Sequence, residues 1–163
     1  MTWRWRSSAA LGFATLLACA SPPAQALFAS CTTSASGVAF GTYPPFSASP
    51  TDSTGTVTVT CTPLLAGLLV SYTIALSTGS SGNYASRSMS SGVSTLQYQL
   101  YTDSARSTVW GDGSAGTATI SDSYLLDLLV PKTRNYTVYG RIPALQPASP
   151  GAYGDTIMVT VTY

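Results

Sequence analysis

Five stretches of the chain alternate apolar and polar residues with a period of two, which is the pattern of half-buried β-strands. They are residues 56–61, 70–76, 96–101, 136–142 and 156–163. In the first stretch Val57, Val59 and Cys61 fall on one face and three threonines on the other. After residue 26, no window repeats apolar residues every three to four positions between helix caps. The pattern therefore predicts an almost entirely β domain.

Residues that favour turns separate these predicted strands. Such clusters occupy 44–45, 50–52, 77–83, 112–113 and 148–151. Short strands between regular turns favour two packed antiparallel sheets, an immunoglobulin-like sandwich, with a closed barrel as the alternative. The leucine-rich segment 124–130 suits a short helix as well as a strand, and we interpret it as a strand.

The N-terminus has the layout of a secretory signal peptide. Arg4 and Arg6 precede an uncharged, mostly apolar run over 9–20, and Ala24-Gln25-Ala26 fits the small-residue cleavage rule. The run is shorter than the roughly twenty residues that a membrane-spanning helix needs. We therefore predict a signal peptide over 1–26, a mature domain over 27–163 and export of that domain without a transmembrane anchor.

A second reading of the N-terminus stays open. Leu16-Leu17-Ala18-Cys19 loosely resembles the lipobox of bacterial lipoproteins, which would make Cys19 the lipidated first residue of an outer-membrane lipoprotein. The leucine two positions before the cysteine is not the small residue that this motif prefers. Cleavage after Ala26 is the better fit.

Cleavage after Ala26 leaves two cysteines, Cys31 and Cys61, in an oxidising compartment. We expect them to form a disulfide bond. The loop of about thirty residues that it closes corresponds to roughly 3 to 4 kcal/mol in the chain-entropy model. A zinc site lacks ligands, because the sequence has no histidine and no further mature cysteine. We predict no metal or other cofactor.

The charged residues are few and argue against several functions. Seven basic and six acidic residues give a net charge of +1, without the basic cluster that nucleic-acid binding requires. The absence of histidine removes the side chain that titrates near neutrality. Asp112, in Trp110-Gly111-Asp112-Gly113, is the best catalytic or calcium candidate, but the motif is more typical of a tight turn. We expect no enzyme.

The last predicted strand alternates up to the final residue. Ile157, Val159, Val161 and Tyr163 share one face. Such a strand either pairs within its own sheet or offers its edge to a strand of another polypeptide.

Several short motifs occur along the chain in an order that is typical of one protein family. They are Cys31, Phe40-Gly41-Thr42-Tyr43, Val59-Thr60-Cys61, Arg87-Ser88-Met89, the run 96–103, Trp110-Gly111-Asp112-Gly113, Tyr139-Gly140-Arg141-Ile142-Pro143 and the run 151–155. From about Ser30 to Tyr163, the chain resembles the spore coat protein U domain family, the subunits of archaic, Csu-type chaperone-usher pili.

The resemblance implies an incomplete immunoglobulin-like sandwich that lacks its seventh strand. A hydrophobic groove would then lie open beside the C-terminal strand, lined by Ile157, Val159, Val161 and Tyr163. The implied partners are a periplasmic chaperone that fills the groove, an outer-membrane usher, and neighbouring pilus subunits that replace the chaperone strand. The implied function is a structural, tip or minor subunit of an adhesive surface pilus, which passes through the periplasm to the cell surface.

One feature departs from a polymerising subunit, which needs an N-terminal donor segment of some ten residues before its first cysteine. Only residues 27–30 separate the predicted cleavage site from Cys31, too few to span a groove at about 3.3 Å per residue. We favour a subunit that accepts a strand without donating one, with earlier cleavage as the alternative.

A ligand-binding adhesin is the competing function. Exposed aromatic side chains would then stack on a glycan or insert into an abiotic surface. The candidates are Tyr84, Trp110 and Tyr153, and for each of them packing within the sandwich is the more ordinary role.

Overall fold

The computed structural model describes residues 29–64, 68–127 and 130–163. Several predictions fall outside these residues. They are the signal peptide, the Cys19 lipidation site, the start of the mature domain at residues 27–28, and the leucines at 128 and 129.

Eight strands and one short 3-10 helix make up the described chain. The strands are β1 (Ala29–Ser36), β2 (Thr51–Pro63), β3 (Leu68–Leu76), β4 (Arg87–Ser91), β5 (Ser94–Tyr101), β6 (Ile120–Leu126), β7 (Lys132–Ile142) and β8 (Val159–Thr162). The 3-10 helix is Gly79–Ser81. None of the helical structure in the described ranges is long and apolar enough to cross a membrane.

The strands form two antiparallel sheets. One has five strands in the order β1-β2-β7-β5-β4, and the other has three in the order β6-β3-β8. The predicted all-β sandwich is therefore confirmed, and the sheets stay separate instead of closing into one barrel. The start of β2, the end of β7 and the β4–β5 hairpin meet at one end of the sandwich, which we call the loop end. The disulfide lies toward the opposite end.

The core lies between the two sheets and follows the predicted alternation. Val57, Val59 and Cys61 of β2 are fully buried, while the threonines between them are partly exposed. The same alternation buries Val70, Tyr72, Ile74 and Leu76 of β3; Leu96, Tyr98 and Leu100 of β5; and Val138 and Ile142 of β7. Each sheet thus has one apolar inner face, and burial of these faces stabilises the sandwich.

Strand boundaries differ from the sequence prediction: β3, β5 and β7 begin two to four residues earlier, and β1 and β4 were not among the predicted strands. Three further differences have a visible cause. β2 begins at Thr51, in a predicted turn, because it pairs along its whole length with β7 and Asp52 accepts two hydrogen bonds from Arg141 at 2.7 and 2.9 Å. β6 ends at Leu126, so the leucine-rich segment is only partly a strand. β8 begins later than residue 156, because the preceding backbone at Gly154 pairs with Ser90 of β4 instead.

A chain of hydroxyl groups joins the sheets on the β6 side. Tyr72 of β3 and Tyr136 of β7 share a hydrogen bond, and the Tyr136 hydroxyl donates to the Asp122 carboxylate of β6. Burial, together with the hydrogen bond to Asp122, raises the pKa of Tyr136 to about 12. The neutral phenols therefore link three strands of the two sheets.

The structure contains a disulfide bond between Cys31 and Cys61. The two residues are direct partners in the β1–β2 register, their Cα atoms are 4.0 Å apart, and the Cys61 side chain is fully buried. The bond fastens the edge strand β1 to the interior strand β2.

We expect replacement of both Cys31 and Cys61 by serine to lower the free energy of unfolding by about 3 to 4 kcal/mol, because the unfolded chain gains loop entropy. Urea denaturation of the protein purified from the periplasm measures this loss. The control replaces the neighbouring paired residues Thr32 and Thr60 by serine and should change stability little. Two free thiols in the mass of the wild-type protein would contradict the disulfide.

Candidate groove between two sheet edges

Two edges of the sandwich face each other without a strand between them. On one side, β8 pairs with β3 from Leu76 to Thr73, and no described strand pairs with its other edge. On the other side, the backbone of residues 37–43 makes no backbone hydrogen bond to the rest of the described chain. The Ala39 carbonyl accepts a hydrogen bond from the Ser53 hydroxyl at 2.6 Å. The other backbone groups of residues 37–43 and the outer edge of β8 have no strand partner in the described chain, so both walls can pair with a further strand.

The space between the walls consists of two adjacent cavities that share part of their lining. The wide cavity, about 570 Å³, lies between residues 38–45 and 148–153, toward the loop end. The narrow cavity, about 230 Å³, lies between residues 35–40 and 153–159. Val38, Phe40, Met89 and Tyr153 line both cavities. We call the two cavities together the groove.

The floor of the groove is the hydrophobic core itself. Val57, Leu76, Leu100 and Val138 lie under the narrow cavity. Leu96 and Ile142 lie under the wide one. Because these residues come from both sheets, the groove opens into the layer between them. An apolar floor flanked by unpaired backbone has the chemistry of a missing β-strand.

The predicted groove residues occupy one wall. Ile157 and Val159 are half-buried and line the narrow cavity. Val161 packs against the core without lining either cavity, and Tyr163 is 40 % exposed. The structure thus brings the first two residues to the groove and leaves the last two beside it.

Sequence reasoning missed the second wall. Val38 and Phe40 are half-buried against the core, and the residues on either side of each are exposed. The signal was the short alternation Val-Ala-Phe, which is too brief to be read as a strand. The Phe40 ring packs edge-on against Tyr98, with 6.1 Å between ring centroids.

A glycine in β7 allows this wall to approach the sheet. A Cβ atom at Gly140 would lie 2.6 Å from Val38 Cγ1 and 2.7 Å from Phe40 Cζ. Any other residue at this position would push both side chains outward. The second wall can therefore pack this closely on β7 only because position 140 is glycine.

A buried arginine supports the opposite wall. The side chain of Arg87 is fully buried, although β4 was not predicted. It donates to the Ser77 carbonyl at 2.8 and 3.1 Å, to the Trp110 carbonyl at 2.7 Å and to Gln99 Oε1 at 2.6 Å. Burial lowers the pKa of the guanidinium from its ordinary value. Within the described chain its hydrogen-bond partners are neutral oxygens, and the guanidinium also lies over the Tyr84 ring, 5.2 Å from its centroid. These contacts replace its hydration.

The arginine reaches the groove through Ser77. The Ser77 amide donates to the Met158 carbonyl at 2.9 Å, and the Ser77 hydroxyl accepts from the Met158 amide at 2.9 Å. Met158 stands between Ile157 and Val159. Fixing Ser77 therefore fixes the backbone that places these two side chains over the narrow cavity.

Asp155 holds the same wall at a second point. Its carboxylate accepts hydrogen bonds from the Tyr98 hydroxyl at 2.7 Å and the Ser80 amide at 2.9 Å. Burial acts to raise the pKa of Asp155, but these hydrogen bonds outweigh it and leave the pKa below its ordinary value. The carboxylate is already engaged, and we assign it a positioning role.

The aromatic side chains named as candidate ligand contacts mostly make contacts within the protein. Trp110 is fully buried and its indole N–H donates to the Ile74 carbonyl at 3.0 Å. It thus has the more ordinary role, packing within the sandwich, and cannot serve as a surface contact. The Tyr84 hydroxyl donates to the Leu76 carbonyl at 3.0 Å. Tyr153 remains half-exposed in the groove wall.

The acidic groups offer no catalytic arrangement. The Asp112 side chain accepts from the Ser114 amide and hydroxyl, as in a tight turn. The residues that the structure describes contain no group of three His, Cys, Asp or Glu able to hold a metal ion.

Three loops gather at the loop end, and each carries one exposed apolar side chain. Phe46 and Val93 are almost completely exposed, and Leu145 is 64 % exposed. The Tyr43 hydroxyl donates to the Pro143 carbonyl at 2.9 Å, which joins the first loop to the third. Gln146 and the backbone of Gln97 exchange two hydrogen bonds at 2.9 Å, which joins the third loop to the β4–β5 hairpin.

The geometry agrees with comparisons to known proteins. The family model described as the Spore Coat Protein U domain matches residues 15–160. A solved structure is similar in fold, with a TM-score of 0.54 and 24 % identity. It is the crystal structure of the CsuC-CsuE chaperone-tip adhesion subunit pre-assembly complex from archaic chaperone-usher Csu pili of Acinetobacter baumannii.

The match covers 83 % of this chain and 40 % of that chain, so this chain spans about two fifths of its length. No curated protein matches the sequence.

We expect Arg87→Met to lower the free energy of unfolding by at least about 2 kcal/mol, because the Ser77 and Trp110 carbonyls lose their donor. Chemical denaturation measures the change. The control is Arg134→Met, since that side chain is about half exposed and makes a 3.9 Å ion pair with Asp122 and an exposed cation–π contact with Tyr124; its effect should stay below about 1 kcal/mol. Equal effects of the two substitutions would contradict the role given to Arg87.

Proposed function

The chain belongs to the spore coat protein U domain family, and from this membership we propose that it is a subunit of a chaperone-usher surface pilus, assembled by strand complementation. The observation that carries the proposal is the groove. It opens the core between two unpaired backbone edges, and an extended segment of another polypeptide would fill it.

A partner strand would supply the two things that the groove lacks, namely backbone hydrogen-bond partners for its edges and apolar cover for its floor. Its amide and carbonyl groups would pair with β8 and with residues 37–43, whose backbone makes no backbone hydrogen bond to the rest of the described chain. Its alternate side chains would cover the apolar floor and remove that surface from water. A ligand without an extended backbone would meet only one of these demands.

The proposal assigns the partners in sequence. A periplasmic chaperone would lend the first strand, because an exposed apolar groove with free edges invites aggregation. An outer-membrane usher would then exchange that strand for one from a neighbouring subunit. The subunit would pass through the periplasm to the pilus at the cell surface, and it would carry out no chemical reaction.

The position within the pilus is the finer part of the proposal. If cleavage follows Ala26, residues 27–30 are too few to act as a donor strand. A subunit that accepts a strand without donating one would sit at the tip or occupy a minor position. The solved structure of similar fold also contains a tip adhesion subunit.

We expect Val159→Asp to abolish co-purification of the periplasmic chaperone, because it places a charge in the narrow cavity and disturbs the wall that must pair. Thr160→Asp is the matched control, since that side chain faces outward on the same strand, and it should retain the chaperone. Pull-down of the tagged chaperone measures both. Full retention by both variants would show that the strand binds elsewhere.

A second function for the same subunit is adhesion through the loop end. Phe46, Val93 and Leu145 form an apolar tip on three loops tied together by hydrogen bonds. Exposed apolar groups at one end of a molecule favour contact with an apolar surface. A glycan ligand has less support, because Trp110 is buried and the Tyr84 hydroxyl is engaged.

We expect the triple substitution of Phe46, Val93 and Leu145 by serine to reduce binding to polystyrene several-fold. The chaperone should still co-purify, because the groove is unchanged. The control replaces Leu69 and Leu125 by serine, an exposed apolar pair on the outer face of β3 and β6. Adhesion that falls equally in both variants would indicate general hydrophobicity and would refute a specific apolar tip.

A further inference from the structure

The edge of the three-stranded sheet that lies away from the groove is also free. β6 is the outer strand there, and no strand of the described chain pairs with its outer side. Its backbone–backbone hydrogen bonds within the described ranges are those of its pairing with β3, and its seven residues include no proline. By its backbone alone, this edge is as able to add a strand as β8 is.

The outer face beside this edge carries an apolar pair. Leu125 of β6 and Leu69 of β3 are direct partners in the β3–β6 register, and they are 60 % and 62 % exposed. A free edge next to exposed leucines is the combination that leads sheets to pair with one another. A second copy of this chain offers the same edge, so pairing of β6 with β6 about a twofold axis is the competing association.

Two basic side chains of β7 reach across the sandwich to β6. The Lys132 ammonium donates to the Leu125 carbonyl at 3.4 Å and lies 5.2 Å from the centroid of the Tyr124 ring. The Arg134 guanidinium lies 5.1 Å from the centroid of the same ring, and its Nε is 3.9 Å from Asp122 Oδ2. Since Asp122, Tyr124 and Leu125 all belong to β6, the two cations contact most of the C-terminal half of this strand.

A strand added to β6 would enclose these cations. Its inward side chains would lie beside Asp122 and Tyr124, next to Lys132 and to the Arg134 side chain, which is 47 % exposed. Two cations would then face one carboxylate, so one positive charge would be buried without an acidic partner. That cost opposes strand addition at β6.

The groove carries no comparable barrier. Among the described residues that line its two cavities, Asp155 is the only charged one, and its carboxylate is held by the Tyr98 hydroxyl and the Ser80 amide. A strand that enters the groove meets an apolar floor and encloses no cation. The two free edges of the three-stranded sheet therefore differ in the charge beside them.

From this difference, and resting on the proposed function, we propose that Lys132 and Arg134 determine which edge of the sandwich accepts a strand. Their charges keep β6 from pairing with the β6 strand of a second copy, and strand addition is thereby confined to the groove. Specificity of this kind comes from disfavouring the wrong pairing as much as from favouring the right one. The two side chains are specificity determinants that do not touch the strand bound in the groove.

The test uses the full chain, purified from the periplasm as its complex with the chaperone, so that the groove is filled and any new association reports another edge. The variant combines Lys132→Thr with Arg134→Thr, because threonine suits a strand and carries no charge. Light scattering measures the mass of the complex, and hydrogen exchange measures protection of the amides of residues 120–126. We expect the wild-type complex to stay single, and the variant complex to double in mass with about tenfold slower exchange in β6.

Three further variants sharpen the test. Lys132→Arg with Arg134→Lys is the matched control, because it exchanges the side chains and keeps both charges, and its complex should stay single. Adding Leu125→Lys to the threonine variant returns a charge to the edge and should reverse the doubling. If the threonine variant is not recovered from the periplasm, Lys132→Thr alone, which keeps the ion pair of Arg134 with Asp122, takes its place and should double in mass at higher protein concentration.

The outcomes separate this inference from the function on which it rests. A charge-free variant that keeps the wild-type mass, or that associates without slower exchange in β6, overturns the role given to Lys132 and Arg134 but leaves strand complementation standing. Doubling of the charge-keeping control overturns that role as well. If the wild-type chain does not purify with the chaperone at all, the proposed function fails, and the confinement of strands to the groove fails with it.

Discussion

The buried guanidinium of Arg87 is the interaction on which the open side of the molecule depends. It reaches three backbone or amide oxygens on β5, at the end of β3 and in the loop of Trp110. A charge without a carboxylate partner is costly to bury, and these hydrogen bonds offset the cost only while all three oxygens stay in place. Through Ser77, Arg87 also holds Met158, the residue directly before β8. No described strand pairs with the outer edge of β8.

This support explains how the sandwich keeps its shape beside an open core. Two walls that lack backbone pairing would be expected to collapse over the apolar floor, since collapse removes the most surface from water. Arg87, Asp155 and the contact of Gly151 with Ser91 hold the C-terminal wall away. Val38 and Phe40 pack over Gly140 and hold the other wall away from the floor. The groove therefore stays open in the described chain, and under the proposed function this preorganisation would lower the ordering cost of binding a strand.

Much of the fold was predictable, because alternation in β2, β3 and β5 directly reports which face is buried. The residues that escaped prediction are those whose role depends on distant partners. Arg87 reads as a surface charge in the sequence, and only its acceptors at Ser77 and Trp110 explain its burial. Val38 and Phe40 belong to the groove only because β7 offers a glycine beneath them, about a hundred residues later. Ile157 and Val159 were found because their wall is a regular alternation.

The loop end and the groove are adjacent, but they offer a partner different kinds of contact. The wide cavity reaches Pro45, the residue before Phe46, and residues 148–153, which follow the loop of Leu145. A strand bound in the groove, as proposed, would need backbone pairing and a defined order of side chains, so the groove would discriminate among partners. The loop tips offer apolar contact without pairing, so they suit surfaces that have no defined sequence. A strand that fills the wide cavity would also brace residues 38–45 from beneath, and assembly of the subunit would then stiffen the loop that presents Phe46.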